Sequence, residues 1–242
     1  MLSTTPTLMG GGVILPNVSF CEDTKDVHYN PYVDPCSSEK VKTTYEWVEI
    51  GGVKWATKNV GALTVTDYGQ HFSWGGVTGF TADQVSGTCH SFSWTDYELG
   101  NGGSSAADMT KYNSTDGKTV LESSDDAATV NMGSGWRIPT EGDFNALSAA
   151  TNNTWVTNYG GSGVAGRLFT DKTDSSKVLF FPAAGLCSNG SVYVVGSSGY
   201  YWSSALYTSP VINGRYLNFS SGDCYMSDSN RCSGFSVRGV VG

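Results

Sequence analysis

The C-terminal quarter of the chain uses an unusually narrow set of residue types. From residue 178 to residue 242 there is no Lys, Glu, Gln or His, although the whole chain has 18 Lys, Glu and Gln residues. An even distribution would place about five of them in this stretch. The stretch consists of short aromatic and β-branched runs divided by turn dipeptides such as Asn189-Gly190 and Asn213-Gly214. Because both residues of Asn-Gly accept positive φ, the pattern predicts short strands joined by tight turns.

The overall composition excludes several classes of protein. The 242 residues are 39% hydrophobic, 12% aromatic and only 15% charged, which argues against disordered and coiled-coil chains. The formal charge is −8 and no basic run occurs, so we expect no nucleic-acid partner. No apolar run reaches 18 residues, so we expect no membrane insertion, and no signal peptide is visible at the N-terminus.

The chain has two parts with different patterns. Residues 1–44 contain a Gly run, four of the seven prolines and mixed charges, which predicts an N-terminal extension or attachment segment. From residue 45 onward the pattern is that of a folded domain, 45–242. It opens with the runs 45–50 and 53–57, and the Gly-Gly pair between them predicts a hairpin.

Two short helices are predicted in the middle of the chain. The first covers residues 124–132, with Ser123 or Ser124 as the cap and Gly133 as the end. The second begins at Thr140, which is followed after three residues by an Asp that completes a capping-box-like pair. Strands before, two helices, and many strands after predict an α+β fold with two short helices packed on antiparallel sheets and long loops.

The cysteines and histidines show no spacing that is typical of a metal site. The six cysteines form no CxxC pair, so we predict no zinc site and no cofactor. Cys21 with Cys36, and Cys224 with Cys232, are each close enough in sequence to bridge a loop, and free thiols fit equally well. His71 is expected to be a packed structural residue rather than a catalytic one.

Six blocks, in this order, resemble the Fibrobacter-type major paralogous domain, a family with a C-type lectin fold. The resemblance covers most of residues 45–242 and none of residues 1–44. The blocks are KWATKNVG (54–61), DYGQHFSWG (67–75), DDAATVNMGSGWRIPT (125–140), FPAAG (181–185), GYYWSS (199–204) and RCSGFSVRGV (231–240).

Within that family, the C-terminal part is similar to the variable proteins of diversity-generating retroelements. Mutagenesis in those systems acts at adenines of Asn-type codons, which cannot become Lys, Glu, Gln, Met or Trp. The resemblance therefore implies a hypervariable, non-enzymatic ligand-binding surface at about residues 186–233. Apart from Tyr200, which belongs to the block 199–204, the candidate residues lie between the blocks, and all are of accessible type: Tyr193, Val194, Tyr200, Leu206, Tyr207, Ser209, Val211, Ile212, Asn213, Arg215, Asp223, Tyr225, Ser227, Asp228, Ser229 and Asn230.

Their chemistry independently suits a contact surface. Antibody loops rely on Tyr, Ser and Asn because Tyr offers a large amphipathic area at low entropy cost, and Arg and Tyr are frequent hot-spot residues. We therefore expect Tyr193, Tyr200, Tyr207, Arg215 and Tyr225 to share one exposed face. A β-rich segment that simply disfavours Lys, Glu and Gln is the alternative explanation.

The resemblance implies a receptor-binding or adhesin-like protein that recognises a protein or cell-surface ligand. It places the protein outside the cell, in a phage tail tip or a bacterial surface structure, with residues 1–44 mediating attachment or oligomer contacts. A fixed-specificity adhesin or carbohydrate-binding module is the first alternative. An oxidase similar to formylglycine-generating enzymes, with Cys224 and Cys232 as its reactive pair, is the second.

Overall fold

Short strands dominate the regular structure of the protein. The computed structural model describes Cys36, residues 44–86 and residues 89–242, all of which belong to one unit, Asp34–Gly242. Strands account for 34% of these residues and helices for 17%. The strands are β1 (Trp47–Ile50), β2 (Val53–Ala56), β3 (His71–Phe72), β4 (Trp136–Arg137), β5 (Thr151–Val156), β6 (Gly166–Asp171), β7 (Val178–Pro182), β8 (Leu186–Ser188), β9 (Ser191–Tyr193), β10 (Gly199–Tyr207), β11 (Asn213–Phe219), β12 (Cys224–Asn230), β13 (Phe235–Ser236) and β14 (Val240–Val241).

The helices of the described residues are short. None of them is long and apolar enough to cross a membrane. The α-helices are α1 (Ala82–Ser86), α2 (Ala127–Met132) and α3 (Glu141–Ala150), and the 3-10 helices are Trp94–Asp96, Ala106–Asp108, Ser123–Asp125 and Tyr159–Gly161.

The predicted fold class, α+β with a C-type lectin fold, is wrong. The strands form four separate sheets, ordered β1-β2-β14-β4, β12-β11-β10-β13-β3, β5-β6-β7 and β8-β9. The two predicted helices exist, but α2 has six residues and α3 ten. Such short helices have clear local caps, which is why the sequence shows them, yet they are too short to form a layer that defines the fold. The regular structure of the described residues is mainly β.

Local signals set where the helices begin. Thr140 caps α3 as predicted: it accepts a hydrogen bond from the Asp143 amide, and the Asp143 side chain accepts one from the Thr140 amide. The start of α2 was predicted too early, because its cap is Asp126, which accepts from the Thr129 amide. The serines proposed as caps lie in the preceding 3-10 turn, Ser123–Asp125.

Two of the three predicted glycine-bearing turns form. The Gly-Gly pair joins β1 to β2, and Asn189-Gly190 joins β8 to β9 with φ values of 48° and 73°. Asn213-Gly214, however, lies inside β11. The glycine is needed there because a Cβ on Gly214 would lie 2.6 Å from the Cδ1 of the Trp74 indole. Close packing, and not a turn, requires this residue.

The five-stranded sheet is buried on both faces near its centre. Trp202 and Tyr216 point into one hydrophobic cluster, and Tyr201, Leu217 and Phe219 point into another on the opposite face. Consecutive residues of β10 and β11 are therefore both core residues, as expected for a strand that is covered on two sides. Beyond β11 lies β12, the edge strand of this sheet.

A disulfide joins Cys36 to Cys89, so the Cys21–Cys36 bridge is wrong, and for Cys224 and Cys232 the free-thiol alternative holds instead of a bridge. Cys224 and Cys232 are free thiols. Cys21 lies outside the described residues, as does almost all of the predicted attachment segment, 1–44.

Candidate ligand-binding surface

Most of the sixteen residues predicted for ligand contact keep accessible side chains. Fifteen of them are at least partly exposed. Leu206 is the exception, with 7% exposure, because it packs in the cluster that contains Trp202 and Tyr216. Leu206 is therefore a core residue, and its place in the predicted surface is corrected.

The register of β10, β11 and β12 sorts these residues between two faces. Tyr200 is aligned with Asn218, which is aligned with Tyr225, while Arg215 is aligned with Asp228. Side chains along a strand alternate between faces with a period of two. One side of β10–β12, called here the tyrosine face, carries Tyr200, Tyr225, Ser227 and Ser229; the other, the arginine face, carries Tyr207, Asn213, Arg215, Asp228 and Asn230.

The expectation of a single shared face is therefore wrong. Tyr200 and Tyr225 lie on the tyrosine face, whereas Tyr207 and Arg215 lie on the arginine face. Tyr193 belongs to the separate β8-β9 hairpin. The sequence analysis missed this division, because it follows from the alternation of side chains and from the bounds and register of the strands, which the structure supplies.

On the tyrosine face, a buried aromatic layer supports the exposed side chains. The Tyr200 ring stacks on Tyr216 at 5.7 Å and contacts Phe235 at 5.2 Å between centroids. Tyr225 at the sheet edge remains 52% exposed. The exposed Tyr225 therefore lies on the same face as aromatic rings whose positions are fixed by packing.

The arginine face is organised by an ion pair with a residue that sequence reasoning missed. Arg215 donates from Nε and Nη2 to the two carboxylate oxygens of Glu141, at 3.1 and 2.6 Å. Its guanidinium also lies 5.7 Å from the Tyr207 ring centroid and 3.9 Å from Asp228. The hydrogen bonds to Glu141, with Asp228 nearby, raise the pKa of Arg215. Glu141 is the first residue of α3, and only its acidic helix-start position marks it in the sequence.

A second arginine, Arg231, holds the loop between β10 and β11 by hydrogen bonds to the loop backbone. Arg231 is fully buried, and its Nη1 donates to the Val211 carbonyl at 3.2 Å. Its backbone amide donates to the Ile212 carbonyl at 2.9 Å. Val211 and Ile212 both pack partly into hydrophobic clusters, whereas Ser209 in the same loop is exposed. Only the tip of this loop is free for contact.

Three consecutive exposed residues, largely apolar, lie at the end of β9 and directly after it. Tyr193, Val194 and Val195 are 48%, 46% and 45% exposed. Val194 has φ of 52°, in the left-handed region that β-branched residues rarely adopt. Its carbonyl accepts hydrogen bonds from the amides of Ser197 and Ser198, both at 3.1 Å. The surrounding turn thus holds a strained residue with its side chain in solvent.

The edge strand β12 carries exposed or partly exposed side chains on both faces of the sheet. None of its seven residues is buried, whereas β10 and β11 each contain several core residues. Tyr225, Ser227 and Ser229 extend to one side of β12, and Asp228 and Asn230 to the other. Asp223 is exposed in the turn that precedes the strand. A ligand that approaches this edge therefore meets side chains of both faces.

The cysteines proposed for the oxidase alternative are not brought together. Cys224 begins β12 and packs against the cluster of Leu217 and Phe219, while Cys232 follows the other end of the strand and packs with Tyr97. Seven strand residues span roughly 20 Å. Burial raises the pKa of Cys224 and raises that of Cys232 to about 12, which disfavours a reactive thiolate.

His71 lies in the interior of the domain. His71 is buried, as expected, and burial lowers its pKa to about 4. No cluster of three or more His, Cys, Asp or Glu residues that could hold a metal ion occurs among the described residues.

A family model for a domain of unknown function, DUF8237, matches residues 162–240. The matched stretch contains all of β12 and all sixteen residues predicted for ligand contact. No curated protein matches the chain, and no solved structure does.

Proposed function

We propose that this chain is a non-enzymatic ligand-binding protein, receptor-binding or adhesin-like, whose diversified contact surface is centred on the edge strand β12. The observation that carries the proposal is that β12 contains no buried residue, while β11 beside it and β10 beyond β11 are anchored in the core. Apart from Cys224 and Met226, which pack against the core, residues of β12 can therefore be substituted without removing core packing.

The residue types support the proposal. The accessible positions on and around β12 carry Tyr, Ser, Asn, Asp and Arg. These side chains combine aromatic contact area with adaptable hydrogen bonding, as antibody paratopes do. They are also the types that mutagenesis of Asn codons would supply, in line with the resemblance to variable proteins of diversity-generating retroelements.

The proposed location is outside the cell, in a phage tail tip or on a bacterial surface. The Cys36–Cys89 disulfide supports it, since structural disulfides persist mainly in oxidising compartments. The ligand class is a protein or cell-surface molecule.

Two displayed libraries test whether β12 serves as a contact surface. One randomises Tyr225 and the four residues from Ser227 to Asn230 with Asn-type codons mutated at the adenines. The matched library treats residues 152–156 in the same way, because β5 is also an edge strand, in the three-stranded sheet. Protease resistance measures the fraction of folded clones, and selection on an immobilised test protein, lysozyme, measures binding.

We expect most β12 clones to stay folded and to yield binders at least tenfold more often than the β5 library. Equal yields from the two libraries, or general loss of folding in the β12 library, would overturn the proposal.

A further inference from the structure

The guanidinium of Arg215 occupies a seat built by three different elements. Glu141 comes from the first turn of α3, Tyr207 from the end of β10 and Asp228 from β12. Glu141 makes the two hydrogen bonds to Arg215 described above, at 3.1 and 2.6 Å. We call the side chains of Glu141, Tyr207 and Asp228 the cation seat.

The chemistry of the seat is that of a site for a guanidinium group. A carboxylate that accepts two parallel N–H bonds matches the planar fork of arginine, and an aromatic ring within about 6 Å adds a cation–π contribution. A second carboxylate, Asp228, lies 3.9 Å from Nη1. Arg215 thus stands where the side chain of an arginine-bearing ligand would be held.

The seat is open to the outside. The side chains of Arg215, Glu141 and Asp228 are 21%, 36% and 30% exposed. A cation from solution can therefore reach the two carboxylates if Arg215 is replaced by a smaller residue. The two carboxylates belong to α3 and β12, so a substitution at residue 215 in β11 does not remove either of them.

One neighbouring acceptor adds to this picture. Asn213 donates from Nδ2 to Asp228 at 2.8 Å, which orients that carboxylate. The Asn213 Oδ1 atom is buried and has no hydrogen-bond partner within the described residues. An unpaired buried acceptor therefore lies beside the Asp228 carboxylate.

We propose that residue 215 sets the charge specificity of the arginine face. Arg215 fills the cation seat from within, so this chain does not take up a cationic side chain there; a small neutral residue at 215 opens the seat to an arginine of the ligand. The proposal rests on the proposed function for its biological use, because only a contact surface needs charge specificity. Glu141 is then a fixed specificity-determining residue outside the diversified region.

The test is an NMR titration of the whole chain with N-acetyl-arginine amide as the probe. N-acetyl-citrulline amide, a neutral near-isostere, is the matched probe. The proteins are the wild type, Arg215→Ser, Arg215→Ser with Glu141→Gln, and Asn218→Ser, which alters the other face of the same strand. Shifts of the Glu141, Tyr207 and Asp228 amides give the dissociation constants.

We expect Arg215→Ser to bind the arginine probe at least tenfold more tightly than the wild type, Asn218→Ser or the double variant, and at least tenfold more tightly than it binds citrulline. Equal affinity for the two probes, or no gain over the wild type, would overturn the proposal.

The proposal can still be tested if the Arg215→Ser variant does not fold. If the spectrum of Arg215→Ser is not dispersed, Arg215→Val, which suits a strand, is titrated in the same way. If neither variant folds alone, the arginine probe must restore a folded spectrum and citrulline must not; any other result contradicts the seat. A negative titration leaves the outcome of the β12 library unaffected, so the two proposals fail separately.

Discussion

At the scale of single residues, two arginines of residues 178–242, called here the C-terminal tail, have opposite roles. Arg231 is fully buried, with its guanidinium 4.8 Å from the Trp74 ring centroid and its donors satisfied by the Tyr97 hydroxyl and by carbonyls. Arg215 is partly exposed and paired with a carboxylate. The first arginine serves the core, and the second belongs to the surface.

Replacing Arg231 should therefore be far more harmful than replacing Arg215. Arg231→Lys keeps the charge but loses the planar fork, which leaves carbonyls unsatisfied in a buried site. We expect a loss of about 3 kcal/mol in the free energy of unfolding. Arg215→Lys, at a partly exposed ion pair, should lose less than about 1 kcal/mol. Urea unfolding of both variants measures the contrast, and similar losses would contradict these roles.

The strained Val194 predicts a gain in stability on substitution. Asn tolerates positive φ better than a β-branched residue does, so Val194→Asn should raise the free energy of unfolding by about 1 kcal/mol. Val195→Asn is the matched control, because Val195 is equally exposed and has no positive φ. Thermal unfolding should show a higher midpoint for Val194→Asn alone. The same gain at both positions would show that strain is not the cause.

His71 predicts a specific dependence of stability on pH. Burial lowers its pKa from 6.5 to about 4, so the unfolded chain binds a proton in this interval and the folded chain does not. Stability should therefore fall as the pH falls from about 6.5 towards 4, by roughly 3 kcal/mol in total, and His71 should have no effect above that interval.

His71→Gln removes this titration. The difference in unfolding free energy between wild type and variant should change by most of that amount between pH 7 and pH 4. A difference that is independent of pH would contradict the account.

At the scale of elements, the sequence predicts the turns and helix caps that depend on interactions between residues close together in the chain. The β1-β2 hairpin, the Asn189-Gly190 turn and the capped start of α3 were all predicted, because glycines and caps act within a few residues. The strand at Asn213-Gly214 and the burial of Leu206 were missed. Both depend on side chains far away in sequence, such as Trp74, that only the folded chain brings close.

The packing of β11 on Trp74 gives an element-scale prediction. Gly214→Ala places a methyl group against the buried indole, which should reduce the free energy of unfolding by about 2 kcal/mol. Gly222→Ala, in the turn before β12, meets no atom within 4 Å and should change it by less than about 0.5 kcal/mol. Urea unfolding of the two variants tests the contrast. Equal effects would indicate that β11 does not approach Trp74 as described.

At the scale of the whole molecule, the net charge counted from the sequence differs from the net charge that the surface exposes. The tail holds three arginines and two aspartates, which is nearly neutral. Arg231 and Arg238, however, are fully buried, so the exposed charges are those of Arg215, Asp223 and Asp228. With Glu141 beside them, the proposed contact surface is acidic on balance. The composition favours a binding surface, but it does not give the sign of the net charge that this surface carries.

The central claim is that the tail separates a fixed core from a variable surface along β12. Sequencing this locus across isolates measures that separation most directly. The account predicts that substitutions concentrate at the fifteen accessible residues and rarely introduce Lys, Glu, Gln, Met or Trp there, while core residues such as Tyr201, Trp202 and Leu217 stay constant. Substitutions scattered evenly along the gene would contradict it and favour a fixed-specificity adhesin.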